Sequence, residues 1–160
     1  METIAKQATE VFCALMDGMN GKSHLKILND PFMPLVIERI AEKIKFGLHT
    51  ASLYSLSHYY EFDGDLMADP EMCFIVADNR RQAGDYELTF IVPYMYHQAS
   101  AMIYEESIVI DSHIVPDKYI PPMQHKHAHF ANQWLINIQQ QGFLIQLEKG
   151  KTIRLSDDDE

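Results

Sequence analysis

Two cysteines in 160 residues, Cys13 and Cys73, lack a CxxC spacing and any neighbouring run of metal ligands. That speaks against a cysteine zinc site, and the two read as buried free thiols suited to a reducing compartment, with a redox pair as the alternative. The chain is equally short of cations, with 13 Lys and Arg against 23 Asp and Glu and a net charge of −10. A groove that tracks phosphates is therefore not expected, because such affinity rests on Lys and Arg displacing counterions. A basic partner, or imitation of nucleic acid, stays open to so acidic a chain. No window approaches the ~18 apolar residues of a membrane span, and METIAKQATEVF lacks the basic start and apolar run of a leader. The expectation is a cytoplasmic protein that neither spans a membrane nor binds nucleic acid directly. The chain also has no GxSxG elbow, no glycine-rich phosphate loop and no dinucleotide fingerprint. A nuclease that pairs Asp with a later ExK triplet is unsupported, since Asp65 and Glu71 lead into Met-Cys-Phe.

What is present suffices for one core. Hydrophobic residues make up 47%, with eight Phe, eight Tyr and nine Met. A chain of this length forms one domain, here 1–160, and buries about 70% of its unfolded surface. Folding needs neither a metal nor a cofactor, and none is expected.

Apolar residues recur at helical spacing over 3–19, with Thr3 available as N-cap, so residues 1–22 are read as an N-terminal helix lying on a sheet. Its Met and Phe stripe is core. Residues 23–110 read mainly as strands: 24–28 alternates weakly, Asp30-Pro31 marks a turn, and 34–40 is rich in β-branched residues. Residues 41–50 are consistent with a continued strand, a helical turn or the start of another strand. In 53–62 the even positions carry the apolar bulk, which puts His58 on the buried face. Asp63-Gly64-Asp65 and Asp69-Pro70 supply turn chemistry and predict an eight-residue connection over 63–70. Residues 71–77 are apolar on both faces, as in a central strand. Strands at 86–96 and 101–110 complete a meander, with Pro93 marking an edge or a bulge. A Pro-rich crossing over 111–122 leads to a helix at 124–141, stopped by Gly142. Residues 143–160 read as a hairpin-like tail around Gly150 that ends in SDDDE. The fold class is α+β: an antiparallel meander sheet of about five or six strands packed with an N-terminal and a C-terminal helix.

Two stretches can carry chemistry. His58, Glu61, Asp63, Asp65, Asp69 and Glu71 can ligate a hard cation or divide into general acid and base. Turn formation alone also calls for Asp-Gly and Asp-Pro, and the DxDxDG spacing of a calcium loop is missing. In His125-Lys126-His127-Ala128-His129, a helix puts His125 and His129 on one face at a zinc-like spacing, whereas an extended chain aligns all three histidines; the HExxH glutamate is absent. A polar helix start explains the run without a metal. Tyr59 and Trp134 have no basic field to make them base-stacking platforms, so they read as core or partner surface.

HYYEFDGDLMADPEM (58–72), FMPLVIERI (32–40) and FANQWLINIQQQG (130–142) together resemble an uncharacterised bacterial family, a domain of unknown function associated with conjugative and other mobile elements of gut anaerobes. The stretch TFIVPYMYHQASAMIYEES departs from that family's pattern. The resemblance implies a setting among plasmid or transposon accessory genes, sometimes beside anti-restriction functions, and transfers no catalytic residue or cofactor.

The resulting expectation is a non-enzymatic accessory protein that binds another protein or a second copy of itself. A metal-dependent hydrolase or small-ligand site at 58–71 is one alternative, and an acidic decoy whose carboxylates mimic DNA phosphates is another.

Overall fold

Two 14-residue strands joined by a two-residue turn form the middle of the molecule. The computed structural model describes residues 1–111 and 116–156. Helix α1 (Lys6–Gly18) is followed by strands β1 (His24–Ile27), β2 (Leu35–Phe46), β3 (His49–Phe62), β4 (Asp65–Asp78), β5 (Thr89–Gln98) and β6 (Ile103–Glu106). A small hairpin, β7 (Ile108–Ile110) and β8 (Pro116–Tyr119), leads to α2 (Pro121–Gln140), α3 (Phe143–Glu148) and β9 (Thr152–Leu155). The main sheet has seven strands in the order β6-β5-β4-β3-β2-β1-β9, every pair antiparallel. The fold is thus α+β with helices towards both ends of the chain, and its strand count exceeds the expected five or six. Part of the Pro-rich crossing (112–115) and the acidic tail (157–160) lie outside the described residues.

The extra strand comes from the stretch read as a tail hairpin. Gly142, at φ 92°, turns the chain so that FLIQLE becomes α3, with Phe143 fully buried and Leu147 packed on the core. A Cβ on Gly18 would stand 2.7 Å from Leu147 Cδ2, so α1 ends in close contact with α3, where a larger residue would force Leu147 to shift. β9 then pairs with β1 at the sheet edge, and Arg154 Nε donates to the Gly18 carbonyl at 2.8 Å.

The predicted eight-residue loop is a correction of another kind. Asp63 and Gly64 both adopt positive φ, 51° and 84°, which suits a two-residue hairpin whose twist matches its strands. β4 therefore resumes at Asp65, and Asp69-Pro70 falls inside it at a register irregularity. Over 41–50, β2 continues to Phe46 through two irregularities before turning at Gly47-Leu48. Pro93 marks a bulge, and β5 is an interior strand. Thr3 is not the N-cap of α1: the Ile4 amide donates to the Ile91 carbonyl at 3.0 Å, so the chain is still sheet-bound there and the helix begins after Ala5.

The helices cover one face of the sheet. Phe12, Leu56, Phe74, Leu135 and Phe143 meet there in the main core, with Trp134 beside them. A smaller cluster of Leu53, Ile75, Val92 and Ile108 lies on the other face, packed against Tyr94, Ile44 and Phe46. Arg80 ties the loop after β4 to α1, bonding Asp17 at 2.8 and 3.0 Å and Asp78 at 2.8 and 2.9 Å. No helix among the described residues is long and apolar enough to cross a membrane.

Candidate functional site

Alternation along β3 sends His58 to the helix-covered face. Its ring lies between Trp134 and Phe143, with centroids 5.7 and 5.4 Å away, and its Nδ1 stands 3.2 Å from the carbonyls of both Met33 and Pro34. Carbonyl oxygens only accept, so Nδ1 carries the proton, and burial holds the imidazole below its usual range. His58 is a satisfied core histidine that pins the entry to β2.

Glu71 faces the opposite way. Its carboxylate accepts from Ser55 Oγ at 2.5 Å, and His97 Nδ1 lies 3.8 Å away. The other candidates of this stretch do not join it. Glu61, Asp63 and Asp65 are exposed on the hairpin, while Asp69 accepts from Ser100 Oγ at 3.1 Å and braces β4 against the 99–101 turn. His125 is exposed and paired with Glu2 at 2.6 Å, and His129 is exposed beside Gln133. Among the described residues no group of three or more His, Cys, Asp or Glu is placed to hold a metal ion.

The middle histidine of the run behaves differently. His127 is buried, with Nε2 3.2 Å from Glu105 Oε1 and Nδ1 2.8 Å from Ser107 Oγ. Burial lowers its pKa, so the neutral ring donates from Nε2 to Glu105 and accepts at Nδ1 from the Ser107 hydroxyl. Glu105 is in turn drawn below the carboxylate range by its hydrogen bond from Lys126 at 2.9 Å. The constellation has the members of a Ser-His-Glu triad, yet Ser107 is fully buried. It fastens α2 to β6. The helical spacing 127, 131, 135, 138 is the signal that singles out His127 as the inward residue of the run.

The face away from the helices, uncovered by them although Ile108 of β7 closes its small apolar cluster, carries a second set of polar groups. Ser55, Glu71, Cys73, His97, Tyr104 and Glu106 run across it from β3 to the edge strand β6. Burial pushes the Cys73 thiol up to about 12 and raises the Tyr94 phenol. The hydrogen bond to Glu106, 2.5 Å, pushes Tyr104 up to about 12. Thiol and phenols are thus protonated at neutral pH, so they can donate hydrogen bonds, and the thiol is not an activated nucleophile. His97 lies edge-on to Tyr104 at 5.6 Å.

Beside this row a groove of about 670 Å³ opens between the β3–β4 hairpin and β1, β2 and β9. Val36, Leu66, Ile153 and Leu155 give it an apolar lining, Tyr59 and Tyr60 form one wall, and Glu38, Glu61, His24 and Lys26 supply its charge and polarity. That volume falls in the range of clefts that take a ligand or a docked segment. Two buried polar atoms among the described residues have no hydrogen-bond partner: His24 Nδ1, in this groove, and Ser57 Oγ on β3, opposite Glu71.

No curated protein and no solved structure matches the chain. A family model does, over residues 7–144, a span that runs from α1 to the start of α3 and leaves out β9. The chain belongs to that family, a domain of unknown function (DUF6908).

Proposed function

We propose that this domain is a non-enzymatic interaction module that holds a partner protein on the uncovered face of its sheet. The observation that carries the reading is the asymmetry of the sheet: helices close one face, while the other presents Tyr104, His97 and Glu71 beside a groove of about 670 Å³. Exposed tyrosines such as Tyr104 are enriched at surfaces that recognise proteins. The protonated state of Cys73 supports binding over covalent catalysis.

A hydrolytic metal centre at 58–71 loses its geometry, because His58 and Glu71 stand on opposite faces. A phosphate mimic calls for an unbroken row of carboxylates, and His24, Lys26 and His97 interrupt Glu38, Glu61, Glu71 and Glu106. The resemblance of the 32–142 strings supports accessory machinery of a bacterial mobile element as the setting. Two buried free cysteines support the cytoplasm.

The test is a cross-linking capture in cells that carry the gene, with variants shown to fold by circular dichroism. Glu71→Lys and Tyr104→Ala are expected to lose the partner, and His129→Ala on the exposed side of α2 to keep it. Turnover in a hydrolase or nuclease screen that vanishes in Glu71→Gln would overturn the reading.

A further inference from the structure

β3 and β4 outrun their neighbours. β2 enters register with β3 at Leu35, opposite His58, so residues 59–62 pair with β4 on one side and, among the described residues, with no strand on the other. The carbonyls of Met33 and Pro34, within reach of His58 Nδ1, mark where the preceding chain arrives from a turn. A two-stranded ribbon therefore overhangs the end of β2, and the groove of about 670 Å³ lies along its open edge. An edge of this kind presents N–H and C=O groups at strand spacing, a template that another chain can complete.

Resting on the interaction-module reading, we infer that the groove takes an extended, basic segment of the partner, added as a strand beside Tyr59–Phe62. An added strand there lies in line with β2 and continues the sheet where β2 stops. Its side chains alternate, so one set faces the groove's apolar lining at Val36 and Leu66. Charge selects the segment: among the described residues that line the groove, Glu38 and Glu61 stand beside the ammonium of Lys26, on a chain of net charge −10. His24 Nδ1, buried in the groove wall without a partner, is a further polar group beside the added strand. A second copy of the chain is the poorer occupant, because edge-to-edge pairing would bring two Glu61 carboxylates and two such net charges together.

The experiment uses the full chain and a fluorescent peptide of alternating lysine and valine, about ten residues long so that it outspans the free edge. Fluorescence anisotropy compares it with the same peptide N-methylated at alternate residues, which keeps the charge and removes strand donors, and with a glutamate–valine peptide. Binding of the plain peptide alone is expected, weakened roughly tenfold in Glu61→Lys, with the 59–62 amides gaining protection from hydrogen exchange. Equal binding of the N-methylated peptide would reduce the contact to charge and overturn strand addition. Absence of binding by the plain peptide would overturn it too. So would sedimentation as a dimer that Leu66→Asp dissociates, which would put a second copy in the groove. If the peptide arm fails while Glu71→Lys still loses the cross-linked partner, the partner sits elsewhere on the uncovered face; if both fail, the interaction reading falls with it.

Discussion

His58 and Glu71 flank one hairpin and stand on opposite faces of the sheet, and the two faces treat polar side chains differently. On the covered face, His58 meets two carbonyls, His127 lies between Ser107 and Glu105, and Gln124 bonds the Glu2 backbone and the Pro93 carbonyl. Those groups are completed by the chain itself, as buried polar atoms must be for the fold to be stable. On the uncovered face, Glu71 accepts from Ser55 Oγ and lies 3.8 Å from His97, and Tyr104, 61% exposed, bonds Glu106. The same residue types are thus closed in on one side and reach solvent on the other. Availability, more than residue identity, separates a site from a core here.

The comparison breaks if truncation costs the same on both faces. Phe12→Ala removes a fully buried ring that packs on Tyr54 and Phe74, and should cost about 3–5 kcal/mol of unfolding free energy in urea. Tyr104→Ala should stay within about 0.5 kcal/mol of wild type.

A smaller effect sharpens the contrast through pH. Burial holds His58 and His127 below the ordinary imidazole value of 6.5 in the folded state. As pH falls below that value the unfolded chain takes up protons that the folded rings do not, so stability present above it is lost towards the folded pKa values. Melting temperature should therefore fall between pH 7 and pH 5, and more gently in His127→Gln. An equal slope in that variant would remove His127 from the account. Glu105 and Asp78, held down by Lys126 and Arg80, lose their contributions only in more acid solution.

Smaller still is the stability effect of Glu71→Gln, expected within about 0.5 kcal/mol by chemical denaturation because the amide keeps an acceptor for Ser55. A loss near that of Phe12→Ala would make Glu71 structural and erase the difference between the faces. The last effect is one of near-silence: with its thiol pushed up to about 12, Cys73 should resist alkylation by iodoacetamide at pH 8 until the protein unfolds. Fast labelling of the native protein would contradict its burial.

Much of the covered face was legible in the sequence, because its signals are periodic. The helical stripe of α1, the inward set of α2 and the burial of His58 all follow from spacings of 3.6 and 2. What escaped was set by contacts between distant segments. FLIQLE reads as one arm of a hairpin, and it is the turn at Gly142 and the packing of Leu147 against Gly18 that make it a helix. Asp63-Gly64 and Asp69-Pro70 are both turn pairs, and only the pairing of β3 with β4 shows that the first turns the chain and the second lies within a strand. Of the candidate residues, the sequence placed His58 and Glu71 near each other without resolving their faces, since a register irregularity between Ser57 and Tyr59 intervenes. The uncovered row of Cys73, His97, Tyr104 and Glu106 draws on three strands, and no local motif unites it.

Partner capture by a folded Glu71→Lys, Tyr104→Ala double variant, scored beside its melting temperature, tests the central claim most directly. The account predicts a wild-type melting temperature and no captured partner. Capture undiminished in that protein, or a collapse of stability to the level of Phe12→Ala, would contradict it.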